Sequence, residues 1–233
     1  MNLKKSSFLA AILPLLFGGA AVAQMGMGGM GMANSMRGVW NPVIGSGGLY
    51  QLETPQHGSS QMQIAIVGQD TVDGKAGYWL EMGMQSPRGG GTMYSKSFYV
   101  VEGGNIQVTR MIIQPPGRQP IEMPVGMGQG GPPGSRATQP QPADISKAGQ
   151  DLGSESVTVP AGTFTAEHYK TTDGADIWVS PKVSPWGLVK MTSPNSNMTL
   201  LKVITDAKDQ ITGTPQVFNP GQMMNGGGGP PQQ

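Results

Sequence analysis

The chain has 233 residues, with 15 Lys and Arg against 14 Asp and Glu, two His and no Cys. So balanced a charge offers no strong field for phosphate backbones or anionic lipid, which argues against a nucleic-acid partner. Without cysteine the fold cannot be stapled by disulfides and must rest on an ordinary core.

The N-terminus reads Met1-Asn2-Leu3-Lys4-Lys5, then an apolar run from Phe8 to Phe17, then Ala21-Val22-Ala23 before Gln24. A positive start, a short apolar stretch and a small-x-small site are the three parts of a cleavable export signal. Spanning a bilayer takes roughly 20 apolar residues. This run is about half that length, and Pro14 and Gly18-Gly19 break it. Cleavage is expected after Ala23, leaving no integral membrane span and placing the mature protein in the periplasm or outside the cell. No Cys follows the site, so a thioether-linked lipid at the new N-terminus is excluded. Loss of Lys4 and Lys5 leaves 13 basic residues against 14 acidic, a formal charge of −1.

Residues 24–36 (QMGMGGMGMANSM) are Gly/Met low complexity. Residues 115–142 carry proline, glycine and glutamine, and the stretch 215–233 ends in four glycines, two prolines and two glutamines. Such segments bury too little apolar surface to offset an ordering entropy of about 1–2 kcal/mol per residue, and all three are expected to be disordered. A single domain over 37–214, with 115–142 as a mobile insertion, is then expected. The two blocks flanking that insertion, about 37–114 and 149–212, are each of marginal size for an independent core.

Both blocks read as strands. Met62, Ile64 and Ile66 alternate with Gln61, Gln63 and Ala65, and Tyr78, Leu80, Met82 and Met84 alternate with Trp79, Glu81 and Gly83. Period-two alternation gives one buried and one polar face. Asp73-Gly74 between the two runs supplies the positive φ of a tight hairpin. Glu102-Gly103-Gly104-Asn105 likewise joins Phe98–Val101 to Ile106–Ile113. In the second block strands are expected at Val157/Val159, Phe164–Tyr169, Asp176–Val179, Gly187–Met191 and Met198–Thr205, with Asp173-Gly174 as a turn. Ala143–Leu152 is the one short helix candidate. The expected fold is mainly β: a curved antiparallel sheet, half-barrel or open barrel, of about 8–10 strands, because a sheet that wide must curl or close to cover its apolar face.

Ser156–Met191 (SVTVPAGTFTAEHYKTTDGADIWVSPKVSPWGLVKM) carries a Val-Pro-Ala-Gly-Thr-Phe turn, an aromatic-ended strand, Trp-x-Ser-Pro and Gly-Leu-Val-Lys. With the Asp73-Gly74-Lys75 hairpin leading into Tyr78-Trp79-Leu80-Glu81, it resembles exported bacterial proteins of unknown function. These are similar to lipoprotein-carrier-like (LolA/LolB-like) β half-barrels of the cell envelope. The resemblance covers about 130 residues and implies a concave face able to accept an apolar ligand. The helices that plug such half-barrels have no good counterpart in this chain, and the Pro-rich insertion is a departure. The residues themselves also fit a structural role: Pro160 ends a strand for want of an amide hydrogen and Gly162 supplies free φ.

No catalytic residue is assigned. His57 lies in a Pro-Gln-His-Gly loop and His168 beside Glu167 and Tyr169, whereas zinc needs three or four converging ligands. There is no Gly-x-Ser-x-Gly elbow, Asp173 and Asp176 near Glu167 fit turn roles better than acid catalysis, and Asp206 with Asp209 forms no calcium loop. The first functional expectation is a non-enzymatic binding or interaction protein of the envelope, needing no cofactor and partnered by an apolar small molecule or an envelope protein. Met62, Ile64, Ile66, Tyr78, Leu80 and Met82 would line the ligand face, with Trp178 and Trp186 as its rim. The alternative is soft-metal binding, Cu(I), by the thioethers of Met25, Met27, Met30, Met32 and Met36, although Gly/Met repeats also serve as inert or oxidation-buffering tails. A hydrolase ranks last.

Overall fold

The computed structural model describes residues 38–55, 58–85, 90–125, 141–142 and 149–218. In chain order the strands are β1 (Gly47–Thr54), β2 (Gly58–Val72), β3 (Lys75–Gln85), β4 (Thr92–Glu102), β5 (Asn105–Gln114), β6 (Ile121–Met123), β7 (Gln141–Pro142), β8 (Gln150–Val159), β9 (Gly162–Lys170), β10 (Asp176–Val179), β11 (Leu188–Ser193), β12 (Ser196–Ile204) and β13 (Gln216–Val217). No helix occurs among the described residues. Twelve strands form one mainly antiparallel sheet in the order β13-β6-β5-β4-β3-β2-β1-β12-β11-β10-β9-β8, with β7 pairing on β5. Pairing of β1 with β12 joins the two halves of the chain. The end strands β13 and β8 do not pair with each other, so the sheet is open.

The expected hairpin chemistry is in place. Asp73 and Gly74 both take positive φ (51° and 76°), as do Gly103 and Gly104 (58° and 75°). Pro160-Ala161 forms the two-residue link between β8 and β9, whose outermost pair is Val159 with Gly162. Five register breaks, one each in the pairs β1·β12, β2·β3, β4·β5, β10·β11 and β8·β9, bend the sheet. An extra residue on one strand raises the local twist, which is how so wide a sheet curls onto itself.

The curled face is the core. Tyr50 lies opposite Met62 and Leu200, Ile66 opposite Leu80, and Met191 opposite both Ile177 and Met198. These side chains are all buried in one cluster with Val157, Val159 and Phe164 of the β8–β9 hairpin. The hairpin tip folds back far enough for the Ala161 N–H to donate to the Leu200 carbonyl at 3.3 Å. Each fully buried aliphatic side chain contributes about 1.5–3 kcal/mol. Two short segments, residues 38–41 and 181–187, pack together against this core. Val39 N–H donates to the Trp186 carbonyl (2.9 Å) and Asn41 N–H to the Pro185 carbonyl (2.7 Å). Trp40 then sits 4.5 Å from Trp186 and 5.5 Å from Tyr99.

Three expectations change. Gln150–Leu152 begin strand β8 rather than ending a helix, because their backbone pairs with β9; residues 143–148 of that candidate lie outside the described residues. The Pro-rich stretch is ordered at its start, where β6 pairs with β5, and β7 returns to pair with Asn105 and Ile106. The C-terminal stretch is ordered at Gln216–Val217, which pairs in parallel with β6. These short additions take the strand count above the expected ten. The remainder of 115–142 and 215–233, the leader 1–23 and the Met-rich 24–36 lie outside the described residues.

Candidate functional site

The expected ligand stripe is inside the core. Met62, Ile64, Ile66 and Leu80 are each at most 2% exposed. Tyr78 and Met82 are partly buried and pack against the same cluster. Among the described residues these side chains pack with Leu200, Met198 and Tyr50 in one buried cluster. Trp186, expected at a rim, is buried in the aromatic plug with Trp40 and Tyr99. Trp178 is in a different place, and the two tryptophans do not form one rim. Met25, Met27, Met30, Met32 and Met36 lie outside the described residues, as does His57. Among the described residues no group of three His, Asp or Glu is arranged to hold a metal ion.

What the fold does assemble is a polar row across four strands. Trp178 on β10 is the register partner of His168 on β9 and of Lys190 on β11. Its neighbours Ile177 and Val179 are buried, so alternation turns the indole to the other face of β10. His168 stacks on the indole at 4.3 Å with an 18° interplanar angle, and the Lys190 ammonium lies 4.9 Å from the ring. Directly opposite positions are where cross-strand side chains interact most strongly. Glu155 on β8 reaches over this pair, accepting from the Trp178 indole N–H and lying 3.3 Å from His168 Nδ1. Asp176 completes the row, 3.0 Å from His168 Nε2 and 3.6 Å from Lys170 Nζ.

With both its ring faces occupied, Trp178 is not a free stacking platform. The row's chemistry is a display of charge, two carboxylates and two ammonium groups around one aromatic pair, close to the free edge of the sheet. That edge is β8, which among the described residues pairs only with β9. Its first seven residues are exposed, including Leu152 at 46%. Sequence alone singled out His168, Asp176 and Trp178 separately and missed Glu155 and Lys190. Polar residues at alternate positions of adjacent hairpin strands were the available signal, but the strand register needed to align them was not.

A second polar cluster lies where β3 and β4 meet the segment after β12. Glu81, 2% exposed, accepts from Gln210 N–H (3.0 Å) and Ile211 N–H (3.2 Å). Lys96, its register partner, pairs with Asp209 at 2.5 Å and donates to the Ile211 carbonyl at 2.9 Å. Burial is the largest influence on Glu81 and, helped by neighbouring Asp209, pushes its carboxyl up to about 7. Nearby, Arg110 and Glu122 form a two-pronged pair at 2.8 Å on each arm. The guanidinium holds the Glu122 carboxyl below its ordinary range. Burial raises the Tyr50 phenol, whose O–H donates to the Leu188 carbonyl at 3.0 Å.

No family model matches the chain, and no curated protein does. The solved structures to which the chain is similar include the following two. One is a protein from Bacteroides fragilis designated as exported and as having a YmcC-like fold; it is 11% identical over 72% of this chain and 99% of its own, with a TM-score of 0.38. The other, from Parabacteroides distasonis, is designated a lipoprotein; it is 12% identical over 72% of this chain and all of its own, with a TM-score of 0.34.

Proposed function

We propose that this chain is an exported, non-enzymatic interaction protein of the cell envelope that engages a protein partner through the β8 edge and the polar row beside it. Export rests on the leader, whose three parts match a cleavable signal. The observation that carries the interaction surface is the edge of an open sheet: among the described residues the ten of β8 pair on one side only and are mostly exposed. Unpaired strand edges are where extended partner segments add, with backbone hydrogen bonds for affinity and flanking side chains for selectivity. Glu155, His168, Trp178 and Lys190 would supply that selectivity.

A lipoprotein-carrier-like function would require an apolar ligand on the concave face. The packing of Met62, Ile64, Ile66 and Leu80 speaks against it, since a ligand there would have to displace the core. Protein interaction is the stronger of the two.

The test is site-specific photocrosslinking in cells. A photoreactive residue at Ser154 or Thr158 is expected to trap a discrete envelope protein, while the same residue at exposed Lys75, at the β2–β3 hairpin in the other half of the sheet, is not. Equal adducts at all three positions, or none at β8, would refute the assignment. Lipid co-purifying with the mature protein would restore the carrier alternative, and a protein that keeps residues 1–23 in cells would remove the premise of export.

A further inference from the structure

The register of the β8–β9 hairpin fixes which backbone groups the edge turns outward. Val159 pairs with Gly162 across the two-residue link, so these two exchange both N–H···O bonds. Hydrogen-bonded pairs recur at every second position, which makes Val157 with Phe164 and Glu155 with Ala166 the next ones. Thr158, Ser156 and Ser154 therefore point their N–H and C=O groups away from β9. The 3.0 Å contact between the Thr158 and Thr163 hydroxyls agrees, because side chains approach most closely at the intervening pairs. Among the described residues no strand lies on that outer side. An added strand would find a donor and an acceptor at each of these alternate positions.

Side chains beside those groups define what fits. Ser154, Ser156 and Thr158 are exposed on one face, a hydroxyl row suited to Ser, Thr or other β-branched neighbours. On the other face Val157 and Val159 belong to the core, while the Glu155 side chain is 51% exposed. β8 carries two carboxylates, Asp151 and Glu155, and no Lys or Arg. Asp151 sits at the register break, its Oδ1 accepting from the Gly153 N–H at 2.8 Å, whereas Glu155 lies within the regular stretch. The Glu155 carboxylate leans back over β9 toward Trp178 and His168. Only a long side chain reaching across from an added strand meets it, and opposite charge makes that side chain Lys or Arg. A second copy of β8 has no cation to offer, and symmetric pairing centred on Glu155 would set two carboxylates opposite each other.

On the premise that β8 is the interaction edge, we propose that its partner is an extended segment of another protein with Lys or Arg opposite Glu155, flanked by hydroxyl or β-branched residues opposite Ser154 and Ser156. The backbone of Ser154–Thr158 holds the segment, and Glu155 selects its charge and register.

Mapping the crosslinked segment tests this. With a photoreactive residue at Ser154 or Thr158 of the full chain in cells, mass spectrometry of the adduct should find Lys or Arg within about two residues of the trapped position. Glu155→Lys, which turns an attraction into a repulsion of similar size, should lower the yield about 2- to 30-fold, and Glu155→Gln by up to about fivefold. Changing the mapped cation to Glu should restore the yield of Glu155→Lys, a rescue that damage to the hairpin would not give. If Glu155→Lys does not fold, Glu155→Gln combined with Gln at the mapped cation replaces it: non-additive losses support the pairing and additive ones refute it. A mapped segment without a basic residue, a failed rescue, or an adduct of two copies of this chain overturns the proposal while leaving β8 an interaction edge. No adduct at either position overturns the edge assignment and the proposal with it.

Discussion

Truncating Ile66 to alanine separates a packed core from a ligand groove. Ile66 is 0% exposed, lies opposite Leu80, and has its own backbone fixed by Gly45 N–H donating to its carbonyl (2.7 Å) and by its N–H donating to the Ser46 carbonyl (3.0 Å). The backbone cannot collapse easily into the space left by the side chain. Ile66→Ala should therefore cost toward the middle of the roughly 2–5 kcal/mol range for such truncations, about 3 kcal/mol. For a domain of this size each kcal/mol is worth roughly 2–4 °C, so Tm should fall by about 6–12 °C. Urea unfolding followed by tryptophan fluorescence measures it directly, with Ile44→Ala as the control. Ile44 is 55% exposed and should change stability by less than about 0.5 kcal/mol. Were the stripe an empty groove, removing an Ile66 side chain that touched only solvent or ligand would cost little. An Ile66→Ala midpoint within about 1 kcal/mol of wild type would refute the core assignment and revive ligand carriage.

Other outcomes follow from the same structure. Gly38→Ala places a methyl 1.7 Å from the Trp186 carbonyl oxygen, so the 38–41 segment must shift; a loss of about 2 kcal/mol and altered tryptophan emission are expected, and an unchanged spectrum would count against the plug. The two perturbed carboxyls act with opposite sign on stability. Glu122, lowered by Arg110, contributes at neutral pH and loses its contribution as pH falls through its folded pKa, so Glu122→Gln should cost about 1 kcal/mol at pH 7 and less in acid. Glu81, raised by burial, contributes fully below the ordinary carboxyl range and loses at most about 3 kcal/mol as pH climbs to about 7, which Glu81→Gln should abolish in pH-dependent denaturation. Finally, Cu(I) titrated into the mature protein and into a version lacking residues 24–36 tests the thioether alternative: equal binding removes it.

Much of the architecture was legible because local chemistry enforced it. Asp73-Gly74 and Gly103-Gly104 must turn the chain, and alternation along Met62–Ile66 and Tyr78–Met84 must present one apolar face. Less legible were β6, β7 and β13, two or three residues long, in segments rich in proline and glycine. Their order comes from partners on β5 and β6, a long-range property that composition does not carry. The end of the Ala143–Leu152 candidate, Gln150–Leu152, became strand for a related reason, since backbone pairing with β9 outweighed weak local helical preference there.

Composition and spacing by themselves determined the lack of disulfides, the strands and most of their turns, because each depends on residues adjacent in the chain. Tertiary structure decided whether the apolar stripe is groove or core, since the bends that curl the sheet onto Met62 and Ile66 depend on cross-strand register. It also decided that His168, Trp178, Lys190 and Glu155 meet, and that Glu81 and Lys96 meet residues 209–211. Side chains more than a hundred residues apart are brought within hydrogen-bonding distance only when the whole sheet has found its pairing.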